Sequence, residues 1–147
     1  MKKLLTFLRL DWQDKYLLAR IALLMMLIRL GLAIFSFRTL LTFLRSRRQA
    51  QSGQPALDQH SVKRAMWGIK VLTPYIPGVT CLTQALAALT LLENSAETVS
   101  VRIGVTKGAE GELKAHAWVE SNGEVIIGHR NDLRSYRVLS RLEEVRQ

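Results

Sequence analysis

The chain has 147 residues, 48% of them apolar, with one cysteine and a formal charge of +9; this is enough for one packed core and too little for a second large domain. The charge is uneven, since residues 1–60 hold ten Lys/Arg against three Asp while residues 61–147 hold eleven against nine acids. Nucleic acid fits this pattern worst: Arg45, Arg47 and Arg48 form the one dense basic cluster, without an aromatic stacking platform or a DNA-reading motif.

Cys81, the only cysteine, excludes an intramolecular disulfide and suits a reducing cytoplasm. The opening Met1-Lys2-Lys3-Leu4-Leu5 begins as a signal peptide would, but Arg9, Asp11, Asp14 and Lys15 arrive before any long apolar region. No export signal is expected. Residues 17–44 are rich in Leu, Ile, Met and Phe, yet Arg20, Arg29 and Arg38 interrupt them every nine residues. That spacing argues against a simple spanning helix. It predicts two or three amphipathic helices, with Gly31 a candidate break, whose apolar faces pack on the rest of the protein or lie on a membrane surface. Leu-Leu-Thr-Phe-Leu-Arg occurs at residues 4–9 and again at 40–45, but the flanking residues do not continue the match, so no repeat architecture follows.

Residues 47–55 read as a polar linker with a boundary near 53, dividing an N-terminal helical region (1–53) from a second unit (54–147). Val62, Ala65, Met66, Ile69 and Leu72 recur at helical spacing and predict a helix over 57–72, ended before Pro74. A turn through Pro77-Gly78 follows. Thr80 can then cap a helix running to about residue 93, with Cys81 at its first position and Leu82, Ala85, Leu86, Leu89 and Leu92 as its buried stripe. The period next changes to two. Val99, Val101, Ile103 and Val105 predict one strand, and Leu113, Ala115, Ala117 and Val119 a second, with His116 and Trp118 on its other face. Asn122-Gly123 predicts a two-residue hairpin turn pairing Ser121 with Glu124. Counting back, Trp118 should face Ile127 and His116 should face His129, unless a bulge at Gly128 shifts the last pairs. Residues 134–145 read as a short strand or helix.

A cysteine attacks a carbonyl as its thiolate, and the free N–H groups of a helix start stabilise that anion. A neutral imidazole can take the thiol proton and return it to a leaving amine. Cys81 and His116 are therefore the candidate nucleophile and base, against the plainer readings of a small core residue and a half-buried sheet histidine. Trp67 and Trp118 read as core or pocket-wall aromatics. One Cys with His60, His116 and His129 shows no zinc-like spacing, and Gly104, Gly108 and Gly111 do not form a phosphate loop before a helix, so neither metal nor nucleotide cofactor is expected.

Thr80-Cys81-Leu82-Thr83-Gln84-Ala85-Leu86-Ala87, Ile103-Gly104-Val105 and Ala115-His116-Ala117-Trp118-Val119-Glu120 resemble the transglutaminase-like B proteins of lasso-peptide biosynthesis, over roughly residues 60–140. The resemblance implies an α+β fold of papain/transglutaminase type, with a nucleophile helix packed on an antiparallel sheet and N-terminal amphipathic helices before it. It implies a cysteine peptidase that cuts the leader from a ribosomally made precursor peptide, working beside a separate leader-binding protein and an ATP-dependent macrolactam-forming enzyme. The N-terminal helices would be a docking surface, in a cytoplasmic protein with peripheral membrane contact as an option. Matched by position, Cys81 is the nucleophile and His116 the general base and acid. The third member is open among His129, Asn131 and Asp132, with Asp132 preferred because an anion also stabilises the imidazolium. A non-catalytic scaffold and a transglutaminase-like acyl transferase are the alternative readings.

Overall fold

A computed structural model describes residues 11–50, 57–92 and 99–143. The first hexapeptide copy and the boundary near residue 53 lie outside them. Among the described residues, four α-helices and one four-stranded antiparallel sheet make an α+β fold.

Helix α1 (Trp12–Ile34) starts where the Asp11 carboxylate accepts the Trp12 N–H at 2.8 Å, satisfying a donor that has no partner inside the helix. It runs straight through Gly31. The break falls instead at Phe35 and Ser36, where the Ser36 hydroxyl accepts the Thr39 N–H at 3.3 Å and opens α2 (Phe37–Ala50). Gly31 serves packing: a Cβ there would lie 3.0 Å from Leu40 Cδ1, so the missing side chain lets α2 approach. Helix α2 also runs into the polar stretch expected as linker. Helix α1 is apolar on two sides. Leu18, Ile21, Met25 and Ile28 are buried, while Leu23, Met26, Leu27, Leu30 and Ile34 are exposed. By length and composition it could cross a membrane, as a core helix of the same make-up could.

Helix α3 (Gln59–Leu72) is capped by Asp58, whose carboxylate accepts the Ser61 N–H at 3.1 Å; the hydrogen bonds with Ser61 hold that carboxyl below its ordinary value. It buries Val62, Ala65, Met66 and Ile69, four of the five positions its periodicity marks. Arg64 pairs with Asp14 of α1. After a 3₁₀ turn (Thr73–Tyr75), α4 (Cys81–Leu91) occupies the centre, with Thr83, Ala85, Leu86, Ala87 and Ala88 all buried. Helices α1 and α3 cover one side of it and the sheet covers the other. Of the expected stripe, Ala85, Leu86 and Leu92 are buried while Leu82 and Leu89 are only partly so, and the small residues at 85, 87 and 88 are what allow close approach from both sides.

The sheet order is β3-β2-β1-β4, from β1 (Val99–Lys107), β2 (Leu113–Ser121), β3 (Glu124–Ile127) and β4 (Arg137–Glu143). Strands β1 and β2 pair without a slip from Val99↔Ser121 to Lys107↔Leu113. Asn122 and Gly123 both take positive φ, 49° and 86°, as a two-residue hairpin turn requires. The expected pairs Ser121↔Glu124 and Glu120↔Val125 form. Then β3 inserts Ile126 as a bulge, so Val119, not Trp118, pairs with Ile127. The bulge falls two residues before Gly128, and β3 ends before His129 can pair with His116. Val99, Val101, Ala117, Val119 and Ile127 join α1, α3 and α4 in one core cluster.

Candidate active site

Cys81 is the first residue of α4 and is partly buried. The turn ahead of it frees Thr80 to adopt extended backbone (φ −101°, ψ 168°), and the Thr80 hydroxyl accepts the Thr83 N–H at 3.3 Å. One of the first-turn donors is thereby used, while the helix start keeps its positive end toward the sulfur.

His116 lies in β2, directly across from Gly104 of β1. Its Nε2 is 2.8 Å from the Gly128 carbonyl oxygen. A carbonyl can only accept, so Nε2 carries the hydrogen and the neutral ring keeps its lone pair on Nδ1. Trp118, two residues on and on the same face, stacks against the imidazole with centroids 6.2 Å apart and planes 18° apart. Tyr136 closes the third side, 5.8 Å from His116 and 6.4 Å from Trp118 by ring centroid.

Trp118 is itself fixed at its polar end. Its Nε1–H donates to Glu120 Oε1 at 2.9 Å, and Arg102 Nε donates to Glu120 Oε2 at 2.8 Å. Gly104 makes room for the indole, since a Cβ there would lie 3.0 Å from Trp118 Cη2 and 3.2 Å from the Arg137 carbonyl. An alternating strand pattern thus yields a wall of His116, Trp118 and Glu120 on one face, while Ala117 and Val119 join the core on the other.

The segment 128–132 runs beside the imidazole. Gly128 takes the His116 hydrogen bond. Arg130 donates to both Asp132 oxygens, at 2.8 and 3.1 Å, and lies 6.0 Å from the Tyr136 ring centroid. These bonds hold the Asp132 carboxyl below its ordinary value, with a smaller contribution from the charge of His116. Arg130 is held above its ordinary value chiefly by Asp132, with smaller contributions from Tyr136 and Cys81.

Of the residues singled out from sequence, Cys81 is at the helix tip and His116 on the sheet facing the loop. Asp132 sits in that loop with its carboxylate on Arg130, while His129 and Asn131 are exposed beside it. Gly128 was read only as a possible bulge, and Arg130, Tyr136 and the Arg102–Glu120 pair were not singled out. Two signals were available: Gly104 and Gly128 are glycines in or beside strands, which marks close backbone approach, and Arg102 falls opposite Trp118 once β1 is registered on β2. Among the described residues no three His, Cys, Asp or Glu side chains come together as a metal site.

A thiol at the start of a buried central helix, packed on an antiparallel sheet that carries an imidazole, defines an α+β domain of papain/transglutaminase type. The family comparison gives the same answer. The model of the transglutaminase-like superfamily matches residues 22–141, more than half of the chain, and the protein belongs to that superfamily. Its members are associated with cysteine-based catalysis of the peptidase or acyl-transfer kind. Comparison with curated proteins and with solved structures gave no match.

Proposed function

We propose that this protein is a cysteine peptidase that removes the leader from a ribosomally made, lasso-type precursor peptide. The observation that supports the reading is a cysteine at the capped start of the central helix α4, packed on a sheet whose His116 ring is held at Nε2 by the Gly128 carbonyl. In this reading His116 takes the Cys81 proton, and the thiolate attacks the last leader carbonyl. The imidazolium then protonates the departing amine, leaving a thioester. Water, deprotonated by His116, releases the leader acid and restores the thiol. The Cys81 backbone N–H meets the oxyanion, and Asp132 favours the imidazolium through its charge.

Partners follow from the same reading: the precursor, a separate leader-binding protein and an ATP-dependent macrolactam-forming enzyme. The exposed side of α1, with Leu23, Met26, Leu27, Leu30 and Ile34, supports a docking role for the N-terminal helices. A groove of about 780 Å³ lies between α3 and the β2–β3 hairpin, walled by Val62, Met66, Trp67 and Ile126, and Cys81, His116 and Gly128 are not among the residues that line it.

Incubating the full chain with the precursor and the leader-binding protein tests the proposal. Cleavage should occur with the native protein and fall by at least about a thousandfold in Cys81→Ala; cleavage surviving that change removes the mechanism. Superfamily membership also supports a second reading, acyl transfer to an amine. Mass spectrometry separates the two, because hydrolysis leaves a free leader acid and transfer leaves an amide of the added amine.

A further inference from the structure

We propose that the main-chain carbonyl of Gly128 is the group that orients His116, doing the work a side-chain Asp or Asn does in a Cys–His–Asp arrangement. This rests on the Cys–His reading above. Three observations meet at one atom. The Gly128 oxygen is 2.8 Å from His116 Nε2. Gly128 has a φ of +79°, a left-handed conformation that glycine adopts without penalty. Its α-carbon also sits against β2 so closely that a Cβ would lie 2.8 Å from the Ala117 carbonyl oxygen and 3.0 Å from Trp118 Cβ.

The Ile126 bulge explains how the oxygen arrives there. Without the extra residue, the alternation of β3 would bring His129 opposite His116. With it, the chain leaves the sheet at Ile127 and turns through Gly128. The two carboxylate oxygens of Asp132 are meanwhile occupied by Arg130, which leaves the carbonyl as the direct contact of the ring.

The chemistry is specific about which nitrogen works. With Nε2–H given to the carbonyl, Nδ1 takes the proton from the Cys81 thiol. The ring becomes an imidazolium, and its Nε2–H bond to the carbonyl strengthens because the donor is now charged. Nδ1 then delivers its proton to the leaving amine as the C–N bond breaks. During hydrolysis it takes a proton from water and returns it to sulfur. The Nε2 hydrogen stays in place throughout, so the carbonyl positions the ring without exchanging a proton. Gly128 is a positioning residue.

Nitrogen-15 NMR of the full chain, labelled at histidine and assigned with His116→Ala, reads the tautomer directly. The neutral His116 ring should show a protonated Nε2 and a bare Nδ1, and Asp132→Asn should leave that state unchanged. Gly128→Ala should mix the tautomers and lower precursor cleavage at least about tenfold. A protonated Nδ1 in the native protein, or a tautomer that changes with Asp132→Asn, overturns the proposal. Should Gly128→Ala fail to fold, the native spectrum and the Asp132→Asn spectrum still decide. The two readings fail separately: cleavage by Cys81→Ala with the stated tautomer sinks the peptidase alone, and an inactive Cys81→Ala with Nδ1–H sinks the orienting carbonyl alone.

Discussion

Arg130 grips Asp132 through two hydrogen bonds on the exposed loop beside the imidazole, and the pairing carries a definite pH sign. The folded-state value of Asp132 lies below its unfolded value. Its contribution to stability is therefore present above the ordinary carboxylate range and is lost as pH falls through the lowered folded value. A carbon-13 titration of the aspartates should place the Asp132 midpoint below the ordinary value, and Arg130→Ala should move it back up; an unmoved midpoint would show that the guanidinium does not hold this carboxylate. At this scale Cys81 and His116 were legible because each announces its surroundings locally, one after a Pro-Gly turn and a capping Thr, the other at fixed parity within a strand. The hydrogen-bond partner of His116 was not legible. It is a main-chain oxygen placed by a one-residue insertion, and no residue type encodes it.

Among the elements, α1 departs most from its reading. Three arginines at nine-residue intervals argued against a simple spanning helix, yet an arginine on a helix need only reach solvent with its head while its stem lies along apolar surface. The helix passes Arg20 and Arg29 unbroken and places Ile21 and Met25 at 0% exposure. Gly31 was misread for a related reason: a glycine weakens a helix by only about 1 kcal/mol, and the approach of Leu40 gives the site a packing use. Since α1 joins the core cluster of α3 and α4, Ile21→Ala should lower unfolding free energy by about 2–5 kcal/mol. Urea denaturation followed by circular dichroism checks this. A loss under about 0.5 kcal/mol would mean that α1 is not part of the cooperative core. The central helix and the first two strands were read almost to the residue, because their periods are unbroken, whereas β4 lacked alternation strong enough to separate strand from helix.

For the molecule as a whole, the apolar surface is distributed unusually. The inner side of α1 is used by the core, and its outer side leaves seven large apolar residues exposed, from Trp12 and Tyr16 to Ile34. Patches of this kind on a folded protein mark sites of association. If the outer side receives the leader-binding protein, Leu27→Gln combined with Leu30→Gln should leave the melting temperature nearly unchanged. The same pair should raise KM for the precursor complex several-fold at constant kcat. Unchanged KM together with loss of cosedimentation with anionic vesicles would assign that side to lipid instead.

The oxygen beside His116 belongs to the polypeptide itself, so no codon change can delete it. An alanine scan over every polar side chain would pass it by. What the genetic code can alter is only the path that presents this atom, through the inserted Ile126 and the left-handed turn that follows. In this protein the setting of an imidazole is written into the shape of a hairpin.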